Sequence, residues 1–277
     1  MYADLHMHTH FSDGTFSPEE LVGHGKRVGL KVMSLTDHDT IDGCERMAAA
    51  CAENNIEFIT GCEFTVEHEG FELHLLGYMF DPTHVRLRSE LARFQEVRQQ
   101  RIHEMVERLQ RAGVKITSED VLKISNNNAP GRPHIGRALV AMGLCNTLNE
   151  AFQRWLKKGK PAWVAKEKMT SAQAIELIHQ AGGLAVIAHP GLYHRDDLIP
   201  RLVAEGMDGI ECFYTRHSTP MTEQYLVMAE EHGLLVTGGS DCHGHNKGEP
   251  LIGRIKLPYD YVAKMKAAVK SHDGVVQ

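Results

Sequence analysis

What most constrains this chain is where its polar clusters fall. Short β-rich runs alternate with amphipathic helical stretches, and one run after another ends in a segment rich in histidine and acid. DLHMHTHFSDG follows the run from Tyr2 to Leu5, TDHDT closes Lys31 to Thr36, and GCEF ends Ile56 to Cys62. AHPG follows Leu184 to Ala188, and GGSDCHG follows Leu234 to Gly238. Helices are expected between them, beginning with Ser17 to Val28, where Ser17 is the N-cap, Pro18 takes the first position and Glu20 stands three residues after the cap. Further helices are expected over Asp42 to Asn54, Ser171 to Ala181, Leu198 to Glu205 and Met221 to His232, with a strand over Gly209 to Phe213. Such alternation predicts a parallel sheet, and in a parallel barrel every strand's carboxyl end opens on one face, so the separate clusters converge there.

Two stretches depart from the alternation. Thr65 to Tyr78 predicts a hairpin turning at Glu69-Gly70, with ELHLLG inside it. Residues 85–160 hold no convincing strand. They contain a long charged helix from Leu87 to Ala112, a stop at Gly113, the polar segment SNNNAPGRP, and helical stretches around Ile135 to Met142 and Leu148 to Leu156. This predicts a barrel formed by residues 1–84 and 161–277, interrupted by a helical insertion domain over 85–160.

Composition narrows the function. There are 18 His against 9 Phe and 7 Tyr, and neutral imidazole is the commonest metal ligand in proteins. The converging set is His6, His8, Asp13, His38, Glu63, His74, His189, Asp241 and His243. Taken singly, an HxH or a TDH is ordinary loop chemistry. Ligand types at five strand ends and a hairpin of one chain are hard to obtain from independent surface accidents. Six imidazoles and three carboxylates exceed what one ion can use, which predicts two or three divalent ions sharing a carboxylate. Nitrogen and oxygen donors without thiolate suit Mn, Zn or Fe. Such ions would make the pocket strongly positive inside a chain of formal net charge −6, and a phosphate is the natural guest. The overall charge argues against a broadly basic, nucleic-acid-coating surface.

The remaining features fit a folded cytoplasmic protein without a membrane segment. The N-terminus lacks the basic and apolar regions of an export signal, and no apolar run approaches a membrane span. Cys44, Cys51, Cys62, Cys145, Cys212 and Cys242 show no CxxC spacing and read as reduced thiols. His24, His84, His179, His232 and His272 read as solvent-facing or structural.

HxH with a following SDG, TDHD, an isolated GxE, AHPG and GSDxH together resemble the polymerase and histidinol phosphatase (PHP) superfamily, over most of the chain outside the insertion. The resemblance implies a distorted (β/α)7 barrel and a trinuclear, metal-dependent phosphoesterase site. It implies one metal on His6, His8, Glu63 and Asp241, a second on Glu63, His74 and His189, and a third on Asp13, His38 and His243. Asp13, His38, Glu63 and Asp241 would form the catalytic centre, with Mn the favoured ion, and Asp37 and Asp39 would orient ligand imidazoles. The insertion's GRPHIGRAL is similar to bacterial nucleoside 3′,5′-bisphosphate phosphatases, which are related to a 5′–3′ exoribonuclease acting on short RNA ends. The substrate so implied is a small nucleotide such as adenosine 3′,5′-bisphosphate, or a short 5′-phosphorylated RNA end, with no protein partner inferred. Arg132 and His134, with Ser125, Asn126 and Asn128 of SNNNAPGRP, are candidates for a second phosphate clamp. Arg216 and His194 could join it, and His194 or His217 could serve as general acid. Two other readings compete: a phosphatase of another small monoester such as histidinol phosphate, and a metal-stabilised interaction domain without catalysis.

Overall fold

The computed structural model describes residues 1–125, 130–165 and 167–273. The chain runs β1 (Tyr2–Asp4), α1 (Pro18–Arg27), β2 (Val32–Leu35), α2 (Cys44–Glu53), β3 (Glu57–His68), β4 (Phe71–Tyr78), α3 (Val85–Arg111), α4 (Ser118–Ser125), α5 (Arg132–Ala141) and α6 (Leu148–Ala151). It continues through a π-turn (Phe152–Leu156), β5 (Met169–Thr170), α7 (Ser171–Gln180), β6 (Leu184–Ile187), α8 (Ile199–Ala204), β7 (Gly209–Tyr214), α9 (Thr219–His232), β8 (Leu235–Gly239), β9 (Leu257–Pro258) and α10 (Tyr259–Asp273). Asn126 and Asn128 lie outside the described residues.

The strands neighbour one another in the order β8-β7-β6-β4-β3-β2-β1-β9, with β5 paired to β3. Closure comes from the segments beyond β1 and β8. Leu5 N–H donates to Gly238 O at 3.2 Å, Asp241 N–H to His6 O at 2.8 Å, and His8 N–H to Cys242 O at 2.9 Å. Gly239 permits this seam, since a Cβ there would stand 2.3 Å from the His6 nitrogen. The result is a distorted (β/α)7 barrel of β1, β2, β3, β4, β6, β7 and β8. The expected parallel sheet is broken at β4, which is antiparallel to both β3 and β6. A tight hairpin leaves no room for a crossover helix, so β4 must run back. Its turn places Glu69 at φ 50° and Gly70 at φ 79°, the left-handed pair that two-residue hairpins require.

The period-2 alternation of strands decides what faces inward. Val32, Ile59, Leu76, Tyr78, Leu184 and Val186 pack together with Leu257, Val262 and Met265 from β9 and α10. Glu63 has the parity of Ile59, and His74 that of Leu76 and Tyr78, so both point to the barrel's inner side. Outside, Phe64, Leu73, Leu75 and Ile187 pack on α3, α7, α8 and α9. The α1 start follows its sequence signal: Ser17 Oγ accepts from Glu20 N–H at 3.2 Å and Glu20 returns the bond to Ser17 N–H at 2.8 Å, a cap worth about 1 kcal/mol.

Between β4 and β5 the chain is helical, and Ile102, Met105, Leu109, Ile135, Leu139 and Leu156 of these helices share a hydrophobic cluster of their own. The first half of α3 instead packs Leu87, Leu91 and Phe94 on the barrel's outer cluster. One helix therefore joins both cores. The short elements α4, β5 and β9, and the terminal helix α10, were not anticipated from sequence. The six cysteines are free and buried, and no helix among the described residues is long and apolar enough to cross a membrane.

Candidate metal centre

All nine sequence-predicted ligands meet at the carboxyl end of the barrel. Glu63, on β3, lies at their centre and is 1% exposed. Its Oε2 stands 3.3 Å from His6 Nε2, 3.2 Å from His8 Nε2 and 3.1 Å from His38 Nδ1, while Oε1 stands 2.7 Å from His74 Nδ1 and 3.1 Å from His189 Nε2. One carboxylate thus faces five imidazoles, three on one oxygen and two on the other. Asp13 Oδ1 is 3.1 Å from His243 Nε2 and 3.9 Å from His38 Nε2. Asp241 Oδ1 is 3.2 Å from His8 Nε2 and 3.6 Å from His6 Nε2.

Donor atoms within 4.8 Å of one another form four overlapping groups: His8, Asp13, His38 and His243; His6, His8 and Asp241; His6, Glu63 and His189; His38, Glu63 and His74. Overlap of this kind suits several ions with shared ligands. The buried polar atoms agree. His8 Nε2, Asp13 Oδ1, His38 Nδ1 and His189 Nδ1 are sealed from solvent and make no hydrogen bond, a cost that three of these four, which face the cluster, would recover if they ligated a cation. Burial would push Asp13 and Glu63 up, but His243 and His38 around Asp13, and His38, His74 and His6 around Glu63, outweigh it and hold both carboxyls well below the usual range. These are ionised donors.

The backbone is bent to make the cluster. His189 has φ 32°, Asp241 φ 53° and Asp39 φ 51°, left-handed values that cost non-glycine residues on the order of 1 kcal/mol each. Other side chains hold the ligands in place. Glu211 Oε1 accepts from His6 Nδ1 at 3.0 Å, and its Oε2 accepts from His189 N–H at 2.7 Å. This fixes His6 with its proton on Nδ1 and its Nε2 lone pair toward the centre. His243 Nδ1 donates to Asp241 O at 2.9 Å, and Tyr214 OH to Asp241 Oδ2 at 2.9 Å. Asp37 accepts from Thr9 N–H at 2.8 Å and from Ser12 Oγ at 2.6 Å, and Ser12 Oγ lies 3.5 Å from His8 Nδ1. Asp39 accepts from Thr65 N–H at 2.8 Å and from Arg98 of α3. Sequence reasoning missed Glu211, Tyr214 and Arg98. The available signal was a lone Glu inside the apolar run GIECFY.

A cleft of about 370 Å³ opens beside the cluster. Asp13, His38 and His74 of the cluster line it, together with Arg98, Arg101, Arg132, His134 and Trp163 of the segment between β4 and β5 and with Glu67, Glu72 and Lys168. His134 Nδ1 accepts from Gly131 N–H at 3.0 Å, and burial beside Arg137 pushes its imidazole down to about 4. It is therefore neutral with its proton on Nε2. Ser125 is buried, with Oγ donating to Leu122 O at 2.9 Å. Arg216 and His194 are exposed and are not among the residues lining this cleft. His217 is held by the backbone through both ring nitrogens, Nδ1 donating to Cys212 O at 2.9 Å and Nε2 accepting from Gly191 N–H at 3.2 Å. It has no proton left to give a leaving group.

A closed α/β barrel carrying clustered imidazoles and carboxylates at its carboxyl end defines a metal-dependent hydrolase. The chain belongs to the PHP domain family, whose pattern matches residues 4–223. It is 37% identical over 248 residues to a 5′-3′ exoribonuclease of Haemophilus influenzae, covering 87% of this chain and 89% of that protein. It is 33% identical over 256 residues to a 3′,5′-nucleoside bisphosphate phosphatase of Chromobacterium violaceum, covering 90% of each. A solved structure described as a metal-dependent phosphoesterase of Bifidobacterium adolescentis superposes with a TM-score of 0.87 at 33% identity, covering 96% of this chain and 95% of that one. The protein is a metal-dependent phosphoesterase.

Proposed function

We propose that the protein removes the 3′-phosphate of nucleoside 3′,5′-bisphosphates, taking adenosine 3′,5′-bisphosphate to AMP and phosphate, and that the same centre trims short 5′-phosphorylated RNA from its 5′ end. The observation that carries this reading is the make-up of the cleft, which joins carboxylates and imidazoles of the cluster to cationic groups of the 85–160 insertion domain. A substrate with a single phosphate, such as histidinol phosphate, would leave those cationic groups unused. The exonuclease activity is supported by the name of the Haemophilus relative.

His6, His8, Glu63 and Asp241 would hold one ion, Glu63, His74 and His189 a second, and Asp13, His38 and His243 a third, with Mn favoured. Bound divalent ions supply Lewis acidity toward phosphoryl oxygens and bring the pKa of water to near neutrality. The chain's own residues do the rest. Ionised Glu63 and Asp13 set the charge of the site, Glu211 keeps His6 in its donor tautomer, and the neutral His134 offers Nε2–H to a phosphate oxygen. Arg132, at the start of α5, holds the phosphate that is not cleaved. A phosphate-release screen with added Mn tests the reading, using 3′-, 5′- and 3′,5′-phosphorylated nucleosides and short 5′-phosphorylated RNA. Faster release from the bisphosphate than from 3′-AMP is the expected result, and a preference for an unrelated monoester would overturn it.

A further inference from the structure

One residue of the cleft serves neither the metal ligands nor a phosphate. Among the described residues that line it, Trp163 alone brings a large apolar ring; the rest are charged groups, imidazoles, small polar residues, glycine, Pro133 and Ala165. Ala162 and Val164, on either side of it in the chain, are buried in the insertion's hydrophobic cluster, and Trp155 packs against the same cluster. Trp163 belongs to none of the molecule's four clusters and is only partly buried. The backbone that carries it is pinned. Arg108 Nη1 of α3 donates to Trp163 O at 2.5 Å, Arg101 Nε of the same helix to Val164 O at 3.0 Å, and Trp163 N–H to Lys160 O at 2.9 Å. Two arginines thus hold an indole in the wall of a charged cleft instead of in a core. The cleft's volume of about 370 Å³ lies in the range of small-molecule sites, where aromatic faces supply affinity and a few polar groups fix orientation. An indole face is covered best by another flat ring, offset-stacked on it.

We propose that Trp163 is the platform on which the substrate's nucleobase stacks, which makes it the residue that selects nucleotides over base-free sugar phosphates. The proposal rests on the nucleotide reading above and adds to it how the base is recognised. Stacking uses the π-face that every base has and reads none of their edges, so the site accepts purines and pyrimidines alike in kind, with purines held more tightly for their larger face. An enzyme that trims RNA of mixed sequence needs that tolerance. Arg101 and Arg108 act through the backbone of residues 163 and 164, fixing the indole before substrate arrives, so that little ordering is left to be done on binding.

Calorimetric titration of the protein with added Mn, using AMP, UMP and ribose 5-phosphate as probes, tests this. Wild type should bind AMP about ten- to a hundredfold more tightly than ribose 5-phosphate, the range of one stacked base. Trp163→Ala should abolish that ratio by weakening AMP and UMP while leaving ribose 5-phosphate unchanged, and Trp163→Phe should keep part of it. Metal content and thermal unfolding show that each variant is folded. A further readout leaves Trp163 in place. The chain has two tryptophans, so in Trp155→Phe the indole emission comes from Trp163 alone; AMP should quench it and ribose 5-phosphate should not. Equal weakening of AMP and ribose 5-phosphate by Trp163→Ala, the lack of an AMP preference in wild type, or AMP binding without quenching overturns the platform. Failure of the bisphosphate reading shows separately, as phosphate release no faster from the 3′,5′-bisphosphate than from 3′-AMP. A preference for AMP over ribose 5-phosphate that depends on Trp163 in that case still upholds the platform.

Discussion

Glu211 Oε1 lies 3.0 Å from Nδ1 of His6, and both side chains are fully buried. The same carboxylate takes the His189 backbone N–H at 2.7 Å, so one residue of β7 orients donors from two other strand ends. Two N–H groups need two acceptors, and an amide offers one. Glu211→Gln should therefore weaken metal retention about 10- to 100-fold while leaving the fold intact. Metal content after dialysis against graded chelator is the measurement, and retention equal to wild type would mean that Glu211 only fills space.

Nine candidate donors in four overlapping groups exceed what one ion can use. Elemental analysis of the purified protein should find about two to three equivalents of transition metal, and chelation should abolish phosphate release. One equivalent or none in fully folded, active protein would count against a polynuclear centre.

Glu63 and Asp39 are both buried acids near His38, yet they stand differently. Glu63 touches five imidazoles, whereas Asp39 fixes Thr65 N–H and Arg98. Glu63→Ala should remove activity altogether, and Asp39→Ala should lower it roughly 10- to 100-fold. Equal losses would show that the two roles are misassigned.

Arg132 separates a bisphosphate enzyme from a general phosphatase. Loss of its contact should cost about 1.5 to 3 kcal/mol, so Arg132→Ala should lower kcat/KM about ten- to a hundredfold. The loss should appear with adenosine 3′,5′-bisphosphate and 5′-phosphorylated RNA and largely vanish with a 3′-monophosphate. A uniform loss would make Arg132 a structural residue.

Away from the centre, His179 Nε2 lies 2.7 Å from Asp208 Oδ2, and this bond raises the imidazole above its ordinary value. A histidine raised in the folded state contributes stability that is full below its unfolded value and is lost as pH rises through the folded one. His179→Gln should therefore lower thermal stability more at about pH 6 than at about pH 9. The difference should be roughly 0.5 to 1 kcal/mol, because the ring is about a third exposed. Unfolding curves of both proteins at the two pH values decide it, and an equal deficit would show that the bond does not depend on charge.

The ligand set was legible because each motif is local: a strand's carboxyl end, a turn and a pair of donors two residues apart are properties of short segments, and a barrel gathers such ends on one face whatever its details. The tight turn at Glu69-Gly70 and the capping box at Ser17 and Glu20 are local in the same way. What only the tertiary structure decided involves partners far apart in the chain. Glu211 meets His6 across 205 positions, and nothing in GIECFY says what its carboxylate will face. Arg98 and Arg101 sit in a helix full of arginine and glutamate, where most are solvated. Only the packing of α3 against the barrel selects those two for the cleft and sets Arg93 against Glu167, whereas Arg108 and Arg111 pair with Glu104 and Glu107 one turn away in the same helix, as local periodicity allows. The sequence determined which atoms could bind metal and phosphate, through short-range periodicity. Which cations line the cleft is decided by neighbours in space, and the fold alone sets those neighbours.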